Sequence, residues 1–412
     1  MNATRYLIIG GGIAGTTAAE TLREIDPDSS ICIVSDEPYR LYSRIMLSKP
    51  NFFLKKIPFD TIWLKTKEWY ESKKIELLDG KNAVKLDSAN KIIELNDGNK
   101  INYEKLLLAI GGCARPWNVA GNEKQGIFYL RTLNDAKAII SAVKKTKRAV
   151  SIGGGFISFE MCEMLRLAGI DVTLVLRESY YWEPLLDKMS GEIIESALQK
   201  GGVSIIKNTE ASEIVGNESV TGMHLKNGED ISCEMIIAGI GVMCPFEWIR
   251  AGGVEVGRGI IANEYLETNV PDIWTAGDSA EFNDLILNEK VQLGNWINAQ
   301  MQGRTAAFNM AGKHQPFKLV SFYTTQGFGI TIAFVGDVRP LPDRIIIARG
   351  TPESGSYGRI LISKDEIVGA TLINRTGELA PITKLIERDV KITGHESELA
   401  DSQFDLKKLI VL

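Results

Sequence analysis

Two stretches of similar sequence decide the fold. Residues 5–15 read Arg-Tyr-Leu-Ile-Ile-Gly-Gly-Gly-Ile-Ala-Gly, and residues 148–158 read Arg-Ala-Val-Ser-Ile-Gly-Gly-Gly-Phe-Ile-Ser. In each, an apolar run typical of a buried strand enters a glycine turn, and apolar residues at helical spacing follow. A β-rich run comes after each helix, at 31–34 and at 172–176. The sequence therefore predicts two β-α-β units, the pattern of a parallel sheet.

The similarity extends beyond the glycine turns. Residues 92–103 are typical of a hairpin around Asp97-Gly98, because this pair supplies the positive φ angles of a tight turn. Residues 223–233 repeat the pattern around Asn227-Gly228. Apolar strands then follow, at 106–110 in one unit and at 235–238 in the other. Two copies of one nucleotide-binding domain explain these similarities.

The pattern changes near residue 321, where β-like runs separated by turn-forming residues begin. These runs cover residues 322–335, 344–348, 359–362 and 367–373, and a helical stretch follows at 381–388. We therefore predict a third domain of the α+β class, in addition to the two repeated units.

Composition narrows the class of protein. The chain has 412 residues, 44% of them hydrophobic and 24% charged, as in a soluble globular enzyme. Its net charge of −5 argues against nucleic acid as the main partner. The first residues run straight into an apolar strand, and no apolar run approaches the roughly 20 residues of a spanning helix. We therefore expect neither a signal peptide nor membrane association, and a cytoplasmic location.

The cysteines suggest no disulfide framework. Five are scattered along the chain, at Cys32, Cys113, Cys162, Cys233 and Cys244, without a Cys-x-x-Cys pair. This spacing predicts buried, reduced thiols and no thiolate metal site.

In the first glycine turn, Gly10, Gly12 and Gly15 have separate roles. The first forms the tight turn, the second lets a pyrophosphate approach the backbone, and the third lets helix pack on strand. Ile13 and Ala14 begin the helix, whose free N–H groups favour phosphate. In the second turn, Gly153 and Gly155 are kept, while Ser158 replaces the third glycine and still allows close packing.

The residues after the second strand of each unit predict the contact with the adenosine ribose. The first unit has Asp36-Glu37, whose carboxylates can accept from a ribose hydroxyl. The second unit has Arg177-Glu178. Because an arginine can accommodate a 2′-phosphate, Arg177 favours NADPH. In the alternative interpretation, Arg177 faces solvent and Glu178 contacts the ribose.

Two further segments carry a family resemblance. Residues 42–49 read Tyr-Ser-Arg-Ile-Met-Leu-Ser-Lys, and residues 272–278 read Asp-Ile-Trp-Thr-Ala-Gly-Asp. Together with the glycine turns, over about residues 5–315, they resemble the FAD-dependent pyridine nucleotide oxidoreductases. The nearest branch contains ferredoxin and rubredoxin reductases and the flavin domain of NAD(P)H nitrite reductase. This resemblance implies that FAD and NAD(P)H bind separately and exchange a hydride.

The resemblance also implies which residues contact FAD. These are Gly10, Gly12, Ile13, Ala14, Gly15, Asp36, Glu37, Arg44, Lys49, Val84, Ala109, Gly111, Arg115, Arg131, Gly277, Asp278, Trp296 and Ala299. Asp278 is expected to accept from the ribitol chain, and Lys49 to lie beside the flavin. A fixed cation there would tune the flavin potential. Alternatively, Lys49 is a solvated loop residue.

A second set is implied for the nicotinamide dinucleotide. It comprises Gly153, Gly155, Phe156, Ile157, Glu160, Arg177, Gly239 and Gly241. Glu160 resembles a glutamate near the nicotinamide, which could orient the carboxamide for hydride transfer. It could also be a carboxylate favoured near a helix N-terminus. Lys49 and Glu160 are the predicted catalytic residues, and no metal site is predicted.

The electron acceptor is predicted by elimination. Residues 33–112 contain no cysteine for a disulfide relay, and no cysteine cluster would hold an iron–sulfur centre. An external acceptor follows, by preference a small redox protein of the rubredoxin or ferredoxin type. Residues 38–75 hold nine Lys and Arg against three Asp and Glu, which could steer an acidic carrier or form an ordinary solvated helical face.

Other functions stay open at this point: an NAD(P)H oxidase that uses oxygen, and a slow FAD-binding redox sensor that acts through interactions. Whether the chain forms a homodimer is also open.

The predicted fold is α/β, with two Rossmann-like domains and a C-terminal α+β domain. We assign residues 1–112 and 245–320 to the FAD-binding domain, 113–244 to the NAD(P)H-binding domain and 321–412 to the C-terminal domain. The last departs most from the resemblance, because Tyr323 stands where a tryptophan is common.

Overall fold

A computed structural model describes residues 2–411, which form ten α-helices and twenty-five strands. The helices are α1 (Ile13–Ile25), α2 (Pro50–Phe53), α3 (Lys67–Ser72), α4 (Leu133–Val143), α5 (Phe156–Leu167), α6 (Lys188–Lys200), α7 (Glu247–Ala251), α8 (Trp296–Met310), α9 (Leu379–Glu387) and α10 (Glu396–Ala400). The strands are β1 (Asn2–Ile9), β2 (Ile31–Ser35), β3 (Ile75–Asp79), β4 (Ala83–Asp87), β5 (Ile92–Leu95), β6 (Lys100–Leu108), β7 (Cys113–Ala114), β8 (Ile127–Phe128), β9 (Arg148–Ile152), β10 (Asp171–Val175), β11 (Val203–Ile206), β12 (Ala211–Val215), β13 (Gly222–Leu225), β14 (Asp230–Ser232), β15 (Met235–Ala238), β16 (Val242–Met243), β17 (Ile260–Ala262), β18 (Ile273–Thr275), β19 (Ala280–Asp284), β20 (Glu289–Val291), β21 (Phe322–Gly327), β22 (Ile330–Gly336), β23 (Ile345–Thr351), β24 (Ser356–Ser363) and β25 (Glu366–Ile373).

The chain divides into two compact units. Unit 1 comprises residues 2–44, 60–113 and 242–321, and unit 2 comprises residues 45–59, 114–241 and 322–411. The three-domain boundaries given above stay a prediction.

Unit 1 is built on a seven-stranded sheet of order β3-β2-β1-β6-β5-β4, with β18 also paired to β6. The strands β3, β2, β1, β6 and β18 run parallel. Along β1, side chains alternate between two cores: Ile8 packs towards one and Leu7 towards the other, and both are fully buried. Each such burial contributes roughly 1.5–3 kcal/mol.

The predicted hairpin around Gly98 is confirmed, with a φ of 82° at this residue between antiparallel β5 and β6. The prediction that the hairpin ends at residue 103 and that a separate strand follows at 106–110 was wrong. A single strand β6 covers Lys100–Leu108, because it pairs with β5 in its first half, with β18 in its second half and with β1 throughout.

Unit 2 contains a five-stranded parallel sheet of order β11-β10-β9-β15-β8 and a three-stranded antiparallel sheet, β12-β13-β14. Its C-terminal part is a five-stranded antiparallel sheet of order β21-β22-β25-β24-β23. One core holds residues of both larger sheets, including Leu174, Ile332 and Phe334, together with Phe159 of α5.

The C-terminal part differs in detail from the sequence analysis. The β-like run at 322–335 is two strands, because Phe328 and Gly329 both have positive φ and form the turn between β21 and β22. Helix α9 covers Leu379–Glu387 rather than 381–388. The predicted fold class, α/β of the Rossmann-like type with a C-terminal α+β domain, is confirmed by the parallel sheets and by the C-terminal antiparallel sheet with its helices. No helix within residues 2–411 is both long and apolar enough to span a membrane.

Candidate functional site

The first glycine turn needs glycine for two different reasons. A Cβ on Gly10 would lie 2.0 Å from the carbonyl oxygen of Ala109, and one on Gly15 would lie 2.0 Å from that of Gly10. A Cβ on Gly12, by contrast, would meet no atom within 4 Å. Packing inside the chain therefore explains glycine at 10 and 15, while the space at Gly12 is available to a ligand.

The helices that follow the two glycine turns start without a capping side chain. Within residues 2–411, α1 after Gly12 and α5 after Gly155 have no such bond, whereas Thr132, Asp187 and Asn295 cap α4, α6 and α8. Orphan N–H groups at a helix N-terminus favour anions. The pyrophosphate of a dinucleotide fits both turns.

Three small residues join α1 to the segment after β18. A Cβ on Gly277 would lie 3.3 Å from that of Ala14 and 3.6 Å from that of Ala299. The Gly277 N–H donates to Oε1 of buried Gln302 over 2.8 Å. This packing places the partly exposed Asp278 on a short 3-10 helix, Gly277–Ser279, which contacts α8. The set is compatible with the expected FAD ribitol contact.

The acidic pair after β2 divides into an exposed and an inward-facing residue. Asp36 is exposed. Glu37 accepts from the Tyr42 hydroxyl over 2.7 Å and from Arg44 Nη2 over 2.6 Å. Burial lowers the pKa of Arg44, but Tyr42 and Glu37 outweigh it and raise the pKa above its ordinary value. Of the two carboxylates, that of Glu37 is therefore the better fixed.

The remaining residues expected at FAD are spread over both units. Ala109 is buried in unit 1, Val84 is 46% exposed on β4, and Gly111 and Trp296 are partly exposed. Lys49, Arg115 and Arg131 belong to unit 2. Arg115 is exposed and its N–H donates to Gly241, while the N–H of Arg131 donates to Asp135.

The second glycine turn shows how Ser158 replaces a glycine. Its buried hydroxyl donates to the carbonyl of Ile152 over 3.0 Å. A Cβ on Gly239 would lie 2.3 Å from this hydroxyl oxygen, and one on Gly153 would lie 2.6 Å from the Gly239 carbonyl. A Cβ on Gly155 would meet no atom within 4 Å. Gly153, Ser158 and Gly239 therefore form the close packing of this turn. Gly155, like Gly12 in the first turn, leaves space for a ligand.

Aromatic residues surround the start of α5, and two of them, Tyr181 and Trp182, were not expected from the sequence. Tyr181 donates from its hydroxyl to the carbonyl of Gly155 over 2.8 Å, and burial raises its pKa well above the ordinary value. The ring of Phe156 packs at 4.6 Å from Trp182 and 4.8 Å from Tyr323. In the sequence, the run of aromatic residues at 180–182 is what indicates this cluster.

Arg177 and Glu178, weighed above as alternatives, are partners. Arg177 Nε lies 2.5 Å from Glu178 Oε1, and this hydrogen bond raises the pKa of the guanidinium. The Arg177 side chain is 73% exposed and that of Glu178 is 22% exposed. The contact with Glu178 uses Nε and the Arg177 side chain is largely exposed, so a phosphate and the carboxylate can bind one guanidinium together.

Glu160 is the centre of a buried polar cluster. Its Oε1 accepts hydrogen bonds from the Lys49 ammonium and from the Thr325 hydroxyl, the second over 2.7 Å. The Ser48 hydroxyl donates to Oε2. The Glu160 side chain is 10% exposed. The Lys49 side chain is itself 26% exposed, and its ammonium is paired with this carboxylate.

This cluster joins both predicted catalytic residues. Because three donors surround one carboxylate, its orientation is fixed, and charge-assisted hydrogen bonds of this kind are strong. Neither Ser48 nor Thr325 was expected at a site from the sequence. In the sequence, Ser48 precedes Lys49 in the segment that carries the family resemblance. The sequence around Thr325 indicates only that its side chain points inward from a strand.

The basic segment 38–75 is less available to a partner than its composition suggests. Arg44 and Lys49 are engaged as described, and Lys65 pairs with Glu20 at 2.7 Å. Arg40 lies over the Trp63 ring at 4.1 Å. The segment is not one helical face, because it contains short α and 3-10 helices in both units. Lys55 and Lys56 are exposed.

Comparisons with known proteins agree with this geometry. Residues 4–303 match the family described as pyridine nucleotide-disulphide oxidoreductase, and residues 322–410 match a domain described as reductase C-terminal. The ferredoxin–NAD(+) reductase component of the biphenyl dioxygenase system of Paraburkholderia xenovorans is 29% identical over 98% of this chain and 97% of its own. Nitrite reductase [NAD(P)H] of Bacillus subtilis is 28% identical over 95% of this chain. This chain spans 48% of that nitrite reductase.

A solved structure shows the same likeness. The covalent complex of putidaredoxin reductase with putidaredoxin has a reductase fold that matches with a TM-score of 0.92 and 26% identity, over 99% of this chain and 98% of that one. The resemblance stated from the sequence is therefore confirmed. FAD and NAD(P)H are the cofactors typical of the family, and two glycine turns with open space at Gly12 and Gly155 fit them. The chain belongs to the pyridine nucleotide-disulphide oxidoreductase family and is an oxidoreductase of the ferredoxin reductase type.

Proposed function

We propose that this chain transfers electrons from NAD(P)H through FAD to a small external redox protein. The observation that carries the proposal is the pair of glycine turns, at Gly12 and Gly155, that open onto space before uncapped helices. The first lies in unit 1 and the second in unit 2. Two separate dinucleotides, rather than one, explain why the chain keeps both turns.

The chain's own residues hold and orient these groups. Gly12, Glu37 and Asp278 are assigned to FAD, and Gly155, Glu160 and Arg177 to NAD(P)H. Bound FAD supplies the change from two-electron to one-electron chemistry. Glu160, held by Lys49, offers a fixed carboxylate to the nicotinamide carboxamide. We also propose that Lys49, while paired with Glu160, lies beside the flavin.

The nicotinamide donor is proposed to be NADPH by preference. Arg177 presents a guanidinium on the surface at the end of β10, and Glu178 holds that guanidinium in place. Charge-assisted hydrogen bonds to a 2′-phosphate favour NADPH, while the Glu178 carboxylate repels it. The net preference is expected to be modest for this reason.

The acceptor is proposed to be a small acidic carrier such as a ferredoxin or rubredoxin. In unit 2, Lys55 and Lys56 are exposed beside the segment that carries Lys49. Nearby in sequence, Phe59 is 41% exposed, and Lys137 Nζ lies 5.6 Å from its ring centroid. A basic surface with an apolar residue suits an acidic partner. Five free thiols fit a reducing, cytoplasmic compartment.

The test is a reconstitution with purified protein. We expect about one FAD per chain, and we expect anaerobic NADPH to bleach the flavin and an acidic ferredoxin or rubredoxin to reoxidise it rapidly. Asp278→Ala should weaken FAD retention. A protein that takes up no FAD would overturn the proposal. Rapid carrier-free consumption of oxygen would identify an oxidase instead, and slow turnover with every acceptor would identify a sensor.

A further inference from the structure

Glu160 receives a hydrogen bond from a part of the chain that lies far away in sequence. Thr325 Oγ1 donates to Glu160 Oε1 over 2.7 Å, across 165 residues. The same oxygen accepts from Lys49 Nζ. As whole residues, Thr325 is 3% exposed and Glu160 is 9% exposed, so this hydrogen bond is shielded from bulk water. One carboxylate oxygen is thus shared by the loop that carries Lys49 and by the C-terminal sheet.

Strand geometry explains why Thr325, rather than a neighbour, reaches Glu160. Successive side chains of a strand point to opposite faces. In β21, Thr325 is buried, whereas Thr324 and Gln326 on either side are exposed. The sequence Thr324-Thr325 therefore offers two identical side chains in opposite environments, one in the cluster and one outside it.

The hairpin that carries Thr325 is fixed to the same helix by a second contact. One turn after Glu160 on α5, Glu163 Oε1 accepts from the Phe328 N–H over 2.6 Å. The Phe328 ring packs at 5.7 Å from Phe159. A Cβ on Gly201 would lie 2.1 Å from the Phe328 ring, so this ring also covers the end of α6 closely. The hairpin therefore cannot shift along α5 without breaking these contacts.

We propose that Thr325 is a positioning residue that fixes the Glu160 carboxylate for the nicotinamide and keeps it from turning wholly towards Lys49. This inference rests on the proposed function, because it assumes that Glu160 faces the nicotinamide carboxamide. A threonine hydroxyl donates one proton, so Thr325 holds one oxygen in one direction. Without it, the donors named above that remain are Lys49 on Oε1 and Ser48 on Oε2. Both belong to one short segment of the chain, so the carboxylate would follow that segment.

The experiment replaces the hydroxyl and keeps the shape. Thr325→Val removes the donor, Thr325→Ser retains it, and Thr324→Val makes the same change at the exposed neighbour. We expect the limiting rate of anaerobic flavin reduction by NADPH to fall about tenfold in T325V, because misplaced groups are costly in hydride transfer. T325S should recover most of the loss, and T324V should match the wild type.

A binding measurement separates positioning from a general structural effect. ADP-ribose is NAD⁺ without the nicotinamide ring, and calorimetry gives the Kd of each. We expect T325V to raise the Kd of NAD⁺ about fivefold and to leave that of ADP-ribose within about twofold. Should T325V fail to fold, Thr325→Ala carries the same measurement.

Two results would overturn the inference. If the T325V and T324V variants had the same rate of flavin reduction and the same Kd for NAD⁺, the Thr325 hydroxyl would have no role. Equal weakening of NAD⁺ and ADP-ribose would show that Thr325 supports the domain and not the carboxylate. Failure of the proposed function is visible separately in the wild type, which would then hold no FAD, show no reduction by NADPH or bind neither dinucleotide.

Discussion

Gly10 lies so close to Ala109 that an added Cβ would stand 2.0 Å from the Ala109 carbonyl oxygen. Gly10 also has a φ of 122°, which L-residues avoid. Gly12, two residues later, has a φ of −74° and free space around its Cβ position. The two glycines of one turn therefore differ in what a methyl group would disturb.

We predict that Gly12→Ala keeps the fold and loses FAD. Since alanine suits this backbone and meets no atom, the free energy of unfolding of the apoprotein should change by less than about 0.5 kcal/mol. The methyl group occupies the space assigned to the pyrophosphate, so the Kd for FAD should rise at least about tenfold, or ~1.4 kcal/mol. Urea unfolding and FAD titration by fluorescence measure the two effects.

Two matched substitutions serve as controls. Gly10→Ala should destabilise the apoprotein itself by about 3 kcal/mol or more, because of the clash and the positive φ. Gly155→Ala should retain FAD and weaken NAD(P)H binding. Unchanged FAD affinity in Gly12→Ala would contradict the assignment of this turn.

The second prediction concerns the donor. Wild type should use NADPH about tenfold better than NADH, or ~1.4 kcal/mol. Arg177→Ala should erase this preference, because it removes the guanidinium that a 2′-phosphate would contact. Glu178→Gln should increase the preference, since it removes the competing carboxylate while leaving the side chain in place. The measurement is the rate of flavin reduction against the concentration of each donor. A preference for NADH that survives Arg177→Ala would place Glu178 on the ribose.

Thiol reagents should not inhibit turnover with a redox carrier. Burial raises the pKa of Cys32, Cys162 and Cys233 to about 12, so at neutral pH these thiols are protonated and unreactive. Cys113 is exposed and should be alkylated first. Mass spectrometry of the labelled protein, beside its activity, checks both statements. Loss of activity in step with Cys113 labelling, absent from Cys113→Ser, would reveal a thiol in the mechanism.

Reversing charge at Lys55 and Lys56 should weaken reduction of an acidic carrier. In the double variant Lys55→Glu/Lys56→Glu, we expect kcat/KM for the carrier to fall about tenfold at low ionic strength and the difference to shrink with salt. Flavin reduction by NADPH should stay unchanged. Lys144→Glu/Lys145→Glu changes another exposed lysine pair, at the end of α4, and is the control. Equal effects of the two double variants would mean that net charge alone matters.

The glycine turns and the fold class could be predicted because their signals are local. Strand, turn and helix follow one another within residues 5–22, and each glycine has a mechanical reason. The hydrogen bond between Thr325 and Glu160 could not be predicted. Periodicity indicates on which face of a strand a side chain lies, but not which distant residue packs against that face. Arg177 and Glu178 show another limit: neighbours in sequence were weighed as alternatives, although their side chains pair.

The pairing of β6 with β18 affects how the chain folds during its synthesis. Leu106 pairs with Ile273 in this parallel register, and the residues between include most of the other unit. During synthesis, the second half of β6 therefore keeps an open edge until residues 273–275 leave the ribosome. Unpaired strand edges invite association with other chains. A chain truncated after residue 241 lacks β18 and should accordingly aggregate rather than fold into a half-active domain.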